Sequence, residues 1–400
     1  MVKKIALEEH FLCPDFIEYW NPTVVDLPAE RRDKALTRLT DFGDLRLAAM
    51  DEAGICRAVI GLAGPGVQAE RDTALAIRRA RAANDFLARQ IEHQPDRYSG
   101  FAHLAMQDAH AAADELERCI RELKFAGAMI NGHTNGQYLD HPALHPFWER
   151  AQALGALIYL HPVDPISPAP VLDGHKGLRR ATWEWTFETG SHALRLIFGG
   201  LFDRFPRARV GLGHLGETLP FLLWRFDSRA GPNFYAIKLG KPPSQYFKDN
   251  FIVTTSGMCS AESLNCTIAA LGHERVMFAA DYPFESAREA GAFMDEVAIA
   301  ESVRRAIAAD NAAKYLRLPQ QGRRLKARTT HLVPFAADQH HGGQSSYRRH
   351  SRRTLSRPTS GGISRPAIHA VPQGSGGFCR PVRHRHHDHV RHRDPRSHAS

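Results

Sequence analysis

Eight short strand-like runs, at about residues 3–8, 57–62, 98–104, 126–131, 156–161, 208–213, 251–256 and 276–281, recur along the first 320 residues with helical stretches between them. Strands that alternate with helices pair in parallel, and eight of them predict an α/β fold closed into a (β/α)8 TIM-like barrel. The stretches between the runs carry helix signals. Asp108 stands where a cap is needed, and Leu116, Cys119, Ile120 and Leu123 follow at the spacing that lines one buried face. A second helix is predicted over about residues 217 to 227, just after a glycine. Some 320 residues exceed the usual size of one domain, yet barrels of this kind commonly reach it, so one domain over 1–320 is the simplest count.

The polar residues are not scattered over this pattern. Glu8 and His10 close the first run, His161 the fifth, His214 the sixth and Asp281 the eighth. In such barrels the C-terminal strand ends build the active site, so these groups converge on one mouth although they are far apart in sequence. A lone histidine or aspartate at a strand end is usually a satisfied structural group, but four on one rim point to a metalloenzyme. Imidazole with carboxylate suits zinc, manganese or iron. Alternation along a strand puts Glu8 and His10 on one face and Glu9 on the other, so Glu8 and His10 are the expected ligands of that run.

Charge separates this part of the chain from the remainder. The full sequence carries a formal +9, but residues 321–400 hold 16 of the 52 Lys and Arg, 11 of the 23 His and only 3 of the 43 Asp and Glu. The first 320 residues are therefore mildly acidic, and composition gives the barrel no nucleic-acid role. The last 80 residues have few large apolar side chains and no sustained periodicity, so a disordered tail is expected there. Its His- and Arg-rich tracts, such as Arg383-His384-Arg385-His386-His387, fit a solvated extension or a read-through end. The sharper readings are a metal-sequestering tract or a nucleic-acid arm. Six cysteines without a CxxC pair, no leader-like segment and no apolar run long enough for a membrane span predict a reduced, cytoplasmic protein.

Several runs together resemble a known family. They are Ile5-Ala6-Leu7-Glu8-Glu9-His10-Phe11, Gly127-Ala128-Met129-Ile130-Asn131-Gly132, Tyr159-Leu160-His161-Pro162, Gly213-His214-Leu215-Gly216-Glu217, Trp224-Arg225, Thr254-Thr255-Ser256-Gly257 and Asp281-Tyr282-Pro283-Phe284. In order and content they resemble the amidohydrolase-related decarboxylases of ortho-hydroxybenzoates, over roughly residues 3 to 318. The resemblance implies a barrel of the amidohydrolase type. It implies one divalent metal ion, zinc or manganese, held by Glu8, His10, His161 and Asp281, and no organic cofactor. It further implies His214 and Glu217 as a supporting pair, Asn131, Arg225 and Phe284 as pocket residues, a small aromatic carboxylate as substrate, and a homo-oligomer, dimer or tetramer. Hydrolytic relatives commonly carry His-x-His at the first strand end, where this chain has Glu8-Glu9-His10. The chain departs from the resembled pattern at Val163, where an arginine is frequent, at His103, at Ala279-Ala280, and in a shorter loop from Thr134 to Leu139.

The residue types suit the implied chemistry. Loss of carbon dioxide without an organic cofactor calls for protonation of the ring carbon, with Asp281 the expected general acid and His214, oriented by Glu217, assisting. Expected substrates are 2,6-dihydroxybenzoate, 2,3-dihydroxybenzoate and salicylate. Two other readings stay open from sequence: a metal-dependent hydrolase of a lactone or amide on the same barrel, and a binding protein acting through its basic tail.

Overall fold

The computed structural model describes residues 1–316 and 318. The strands are β1 (Lys4–Phe11), β2 (Ile55–Leu62), β3 (Tyr98–Ala102), β4 (Gly127–Asn131), β5 (Leu157–His161), β6 (Arg209–Leu212), β7 (Phe251–Thr254) and β8 (Val276–Met277). They form one sheet in sequence order with every neighbouring pair parallel. Two backbone hydrogen bonds span the seam, from Leu7 N–H to the Phe278 carbonyl at 3.0 Å and from His10 N–H to the Tyr282 carbonyl at 2.8 Å. The predicted barrel is therefore present. The boundary at residue 320 and the tail beyond it lie outside the described residues.

Alternation along the strands sorts the core into two layers. Ile5, Leu7, Val59, Phe101, Met129, Leu157, Tyr159, Ile252 and Met277 fill the barrel interior. Ala6, Ala58, Ile60, Ala128, Ile130, Ile158, Leu160, Val210 and Val253 face outward into the layer that packs the helices. The helix Ala109–Arg121 shows why the periodicity was informative. Asp108 caps it by accepting from His110 and Ala111 N–H, and Leu116 and Cys119 are buried on its inner face. Cys13, Cys56, Cys119, Cys259 and Cys266 are free thiols. No helix among the described residues is long and apolar enough to cross a membrane.

Three strand-end expectations need correction. β1 continues to Phe11, so Glu8 lies within the strand and does not close it. β8 is only two residues long, because from Phe278 onward the chain leaves the ladder with β7; Phe278 N–H bonds to the Ile307 carbonyl at 3.0 Å. Asp281 therefore stands on the loop beyond β8, and His214 two residues beyond β6. Only His161 ends its strand as expected. The predicted helix from about residue 217 begins at Leu219 and runs to Ala230, since the preceding residues turn with the opposite hand.

Candidate metal centre

A bulge in β1 sets the inward faces. Ala6 pairs with Ala58 and Glu9 with Ile60, so Leu7 and Glu8 together oppose the single residue Val59. Glu8 takes up the extra length with φ +63°. Ile5 and Leu7 point into the barrel, and strict alternation from them would have sent Glu9 inward. The bulge resets the phase, so that Glu8 and His10 share the inner face and Glu9 turns away. Both inward side chains are fully buried.

Glu8, His10 and His161 place one ligand atom each within 4.8 Å of one another. His161 Nε2 is 3.8 Å from Glu8 Oε1. Asp281 lies beside this group, with its Oδ1 3.0 Å from His10 Nε2. Glu8 Oε1, His10 Nε2 and Asp281 Oδ1 are buried without any hydrogen-bond partner. Orphaned buried polar atoms cost roughly 1–3 kcal/mol each, more when charged, and are rare unless a ligand is missing from the picture. Donor atoms about 2.0–2.2 Å from a shared cation would lie about 3 Å apart, which is the His10–Asp281 spacing. The residues present thus fit a divalent ion. The other oxygen of Glu8 accepts from the Tyr159 hydroxyl and, at 3.3 Å, from Thr254 Oγ1. Gly213 leaves the space that this carboxylate fills; a Cβ there would sit 2.5 Å from Glu8 Oε2.

Electrostatics agree with that donor set. Burial pushes His161 down to about 3, so its ring is neutral and free to ligate. Burial raises the Glu8 carboxyl, with His214 and the Tyr159 hydrogen bond pulling the other way. Burial also pushes Asp281 up, but His10 and His214 together outweigh it and hold that carboxyl below the usual range. His214 behaves conversely. Burial pulls it down, while the Glu217 and Glu8 carboxylates raise it well above the ordinary histidine value.

His214 reaches the site on a left-handed turn. His214, Leu215, Gly216, Glu217 and Thr218 have φ of 51°, 53°, 86°, 52° and 64° in succession. Each non-glycine residue there costs about 1–2 kcal/mol, so the turn stores several kcal/mol. Local bonds hold it. His214 Nδ1 meets Glu217 Oε1 at 2.7 Å, Gly216 N–H donates to the Gly213 carbonyl at 2.7 Å, and Thr267 Oγ1 donates to the Leu215 carbonyl at 3.3 Å. The result aims His214 Nε2 at Asp281 Oδ2, 3.9 Å away.

The amidohydrolase family profile matches residues 25–318. The chain belongs to the amidohydrolase family. This amidohydrolase is 41% identical over 332 residues to the gamma-resorcylate decarboxylase of Rhodococcus jostii (strain RHA1), covering 80% of this chain and 99% of that one. A crystal structure of 2,6-dihydroxybenzoate decarboxylase complexed with 2,6-dihydroxybenzoate matches with a TM-score of 0.74 at 38% identity, covering 80% of this chain and 100% of the other. A dihydroxybenzoic acid decarboxylase from Polaromonas sp. JS666, solved with bound manganese and the inhibitor 2-nitroresorcinol, matches with a TM-score of 0.74 at 39% identity over 80% and 98% of the two chains.

The other expected residues of this amidohydrolase fall unevenly. Asn131 ends β4, fully buried, with Nδ2 3.3 Å from the Leu62 carbonyl and Oδ1 unpartnered. Phe284 is 44% exposed, its ring centroid 5.4 Å from that of His10. Arg225 is exposed on the helix Leu219–Ala230, with no ion pair or hydrogen bond recorded among the described residues. Val163 is half-buried. His103 is buried and accepts the Val67 N–H on Nε2 at 2.9 Å. Tyr159 and Thr254 were not anticipated. The signal for Tyr159 was available, since it stands two residues before His161 and so shares its inward face.

Proposed function

We propose that the protein is a divalent-metal-dependent, non-oxidative decarboxylase of an ortho-hydroxybenzoate such as 2,6-dihydroxybenzoate, 2,3-dihydroxybenzoate or salicylate. The observation that carries this reading is the convergence of Glu8, His10, His161 and Asp281, with Glu8 Oε1, His10 Nε2 and Asp281 Oδ1 unpartnered, beside His214, whose ring the Glu217 and Glu8 carboxylates favour in its protonated form. Those four residues would hold zinc or manganese. When bound, the ion would supply Lewis acidity toward an aromatic carboxylate at this mouth of the barrel.

The protein's own side chains do the rest. Asp281 gives a proton to the ring carbon that bears the carboxyl group. The electrons of the breaking carbon–carbon bond return to the ring as carbon dioxide leaves, and Asp281 is left as a carboxylate. Asp281 is held below the usual carboxylate range, and His214 Nε2, 3.9 Å from its Oδ2, would resupply the proton through one bridging water. Glu217 steadies the imidazole through Nδ1, and the ring is 22% exposed on its side chain, enough to be reprotonated from solvent. Asn131 Oδ1 would accept the substrate hydroxyl, Phe284 would cover the apolar ring, and Arg225 would face the substrate's negative charge.

The test is carbon dioxide release from the three substrates by protein loaded with manganese or zinc, run in heavy water. Metal-dependent release, with one deuteron at the former carboxyl position and loss of at least about 10³-fold in Asp281→Asn, is expected. Acid release without carbon dioxide would favour the hydrolase. Free thiols support a cytoplasmic setting. Large aromatic side chains exposed at Phe187, Phe221 and Trp224 support a homo-oligomer, dimer or tetramer. Light scattering should give a multiple of the 44.6 kDa chain mass, and a monomer at micromolar concentration would refute it.

A further inference from the structure

We infer that Glu9 is a positioning residue of the metal centre: its carboxylate holds the main chain on both sides of Asp281 and so sets where that side chain points. The bulge turns Glu9 away from Glu8 and His10 and buries it to 2% exposure. There its Oε1 accepts the Ala280 N–H at 2.9 Å and its Oε2 the Tyr282 N–H at 3.3 Å. These two amides bracket Asp281, whose φ of +63° is unfavourable for a residue with a side chain. β8 has already ended at Met277, and beyond it the Thr255 hydroxyl holds the β7 side, donating to the Ala279 carbonyl at 3.0 Å and accepting the Ala279 N–H at 3.1 Å. On the β1 side the Glu9 carboxyl group holds the amides of Ala280 and Tyr282, the two that flank Asp281.

A second group closes the clamp. Arg46, on the helix Asp44–Ala53, is fully buried and donates from Nη2 to the His10 carbonyl at 2.6 Å. Its guanidinium lies 4.9 Å from the Tyr282 ring centroid. Glu9 and Arg46 together thus grip the main chain at two of the four proposed ligands, His10 and Asp281. Outer partners of this kind alter metal affinity or activity about 10–100-fold when removed.

The experiment uses Glu9→Gln, which replaces one acceptor by a donor, and Glu9→Asp, which keeps the carboxyl group but shortens its reach. Lys4→Met is the control for plain destabilisation, since Lys4 Nζ pairs with Asp295 at 2.9 Å near the opposite end of β1. Manganese affinity, the paramagnetic resonance line shape of bound manganese, kcat, KM and the thermal midpoint are measured on each. Both Glu9 variants are expected to lose about 10-fold or more in manganese affinity, change the line shape, and lose kcat more than they raise KM. Lys4→Met is expected to lower the midpoint with affinity kept within about twofold. Folded Glu9 variants with affinity and kcat unchanged would overturn the inference, as would an equal loss of affinity in Lys4→Met at a matched midpoint. If Glu9→Gln fails to fold, Glu9→Asp decides. The inference rests on the metal-centre reading: an unsubstituted protein that binds neither manganese nor zinc sinks that reading, whereas binding indifferent to Glu9 sinks only this one.

Discussion

His103 and His192 are buried imidazoles outside the metal site, and each accepts a backbone N–H on Nε2, from Val67 and Leu139, both at 2.9 Å. Burial pushes both down to about 3, whereas in the unfolded chain they take up protons near 6.5. Between those values the unfolded state binds more protons than the native one. Their contribution to stability is therefore complete above about pH 6.5 and falls as pH drops toward 3, at about 1.4 kcal/mol per pH unit for each ring. Urea midpoints at pH 7.5, 6 and 5 should decline accordingly, with a shallower decline in His103→Gln. A His103→Gln slope equal to that of the unsubstituted protein would contradict the assignment. The same scale shows what sequence conveys and what it withholds. The convergence of His10 and His161 was legible because residue type and strand position coincide. Alternation set Glu9 on the opposite face from Glu8 and His10, and the structure has it there, although only the bulge makes that the outward face. The hydrogen bonds of Glu9 to Ala280 and Tyr282 depend on a partner more than 270 positions away, and no local pattern records them.

Among the elements, the left-handed turn at His214–Glu217 was the hardest to foresee. Its sequence, Gly213-His214-Leu215-Gly216-Glu217, contains a glycine where one is useful, but Leu215 and Thr218 are residues that ordinarily avoid positive φ. They are held there by tertiary contacts that override propensity, since Leu215 is buried in the outer core and its carbonyl is bonded by Thr267. That is why the sequence suggested a helix running on from Glu217. Thr218 is exposed at φ +64° and contributes no side-chain bond to the cap of the following helix. Thr218→Gly should therefore relieve strain worth about 1 kcal/mol and raise the thermal midpoint by about 2–4 °C with kcat unchanged. A lower midpoint would mean that the turn is not strained at this residue. The strands were easier, because short runs with inward and outward alternation survive in any register, but their ends were not. β8 was overestimated by four residues because the inward pattern continues through Ala279 after pairing with β7 has stopped.

At the scale of the molecule, a fully buried carboxylate and two buried imidazoles facing one point are a liability without a cation between them. Stability should therefore depend on metal. Removing it with a chelator should lower the thermal midpoint. Restoring manganese or zinc to about 100 times its dissociation constant should return roughly 2.7 kcal/mol, a rise of several degrees. A midpoint indifferent to chelator and metal would place the ion elsewhere or nowhere. The bulge in β1 has a consequence for anyone who alters this protein. Below it, the interior is hydrocarbon from Ile5 and Leu7 across to Met277; above it, the same strand presents Glu8 and His10. One surplus residue thus divides the barrel into two storeys, a plug and a workshop. The plug can be redesigned for robustness without entering the workshop, provided the count of residues between Ala6 and Glu9 never changes; deleting one there would swing the tools through the wall.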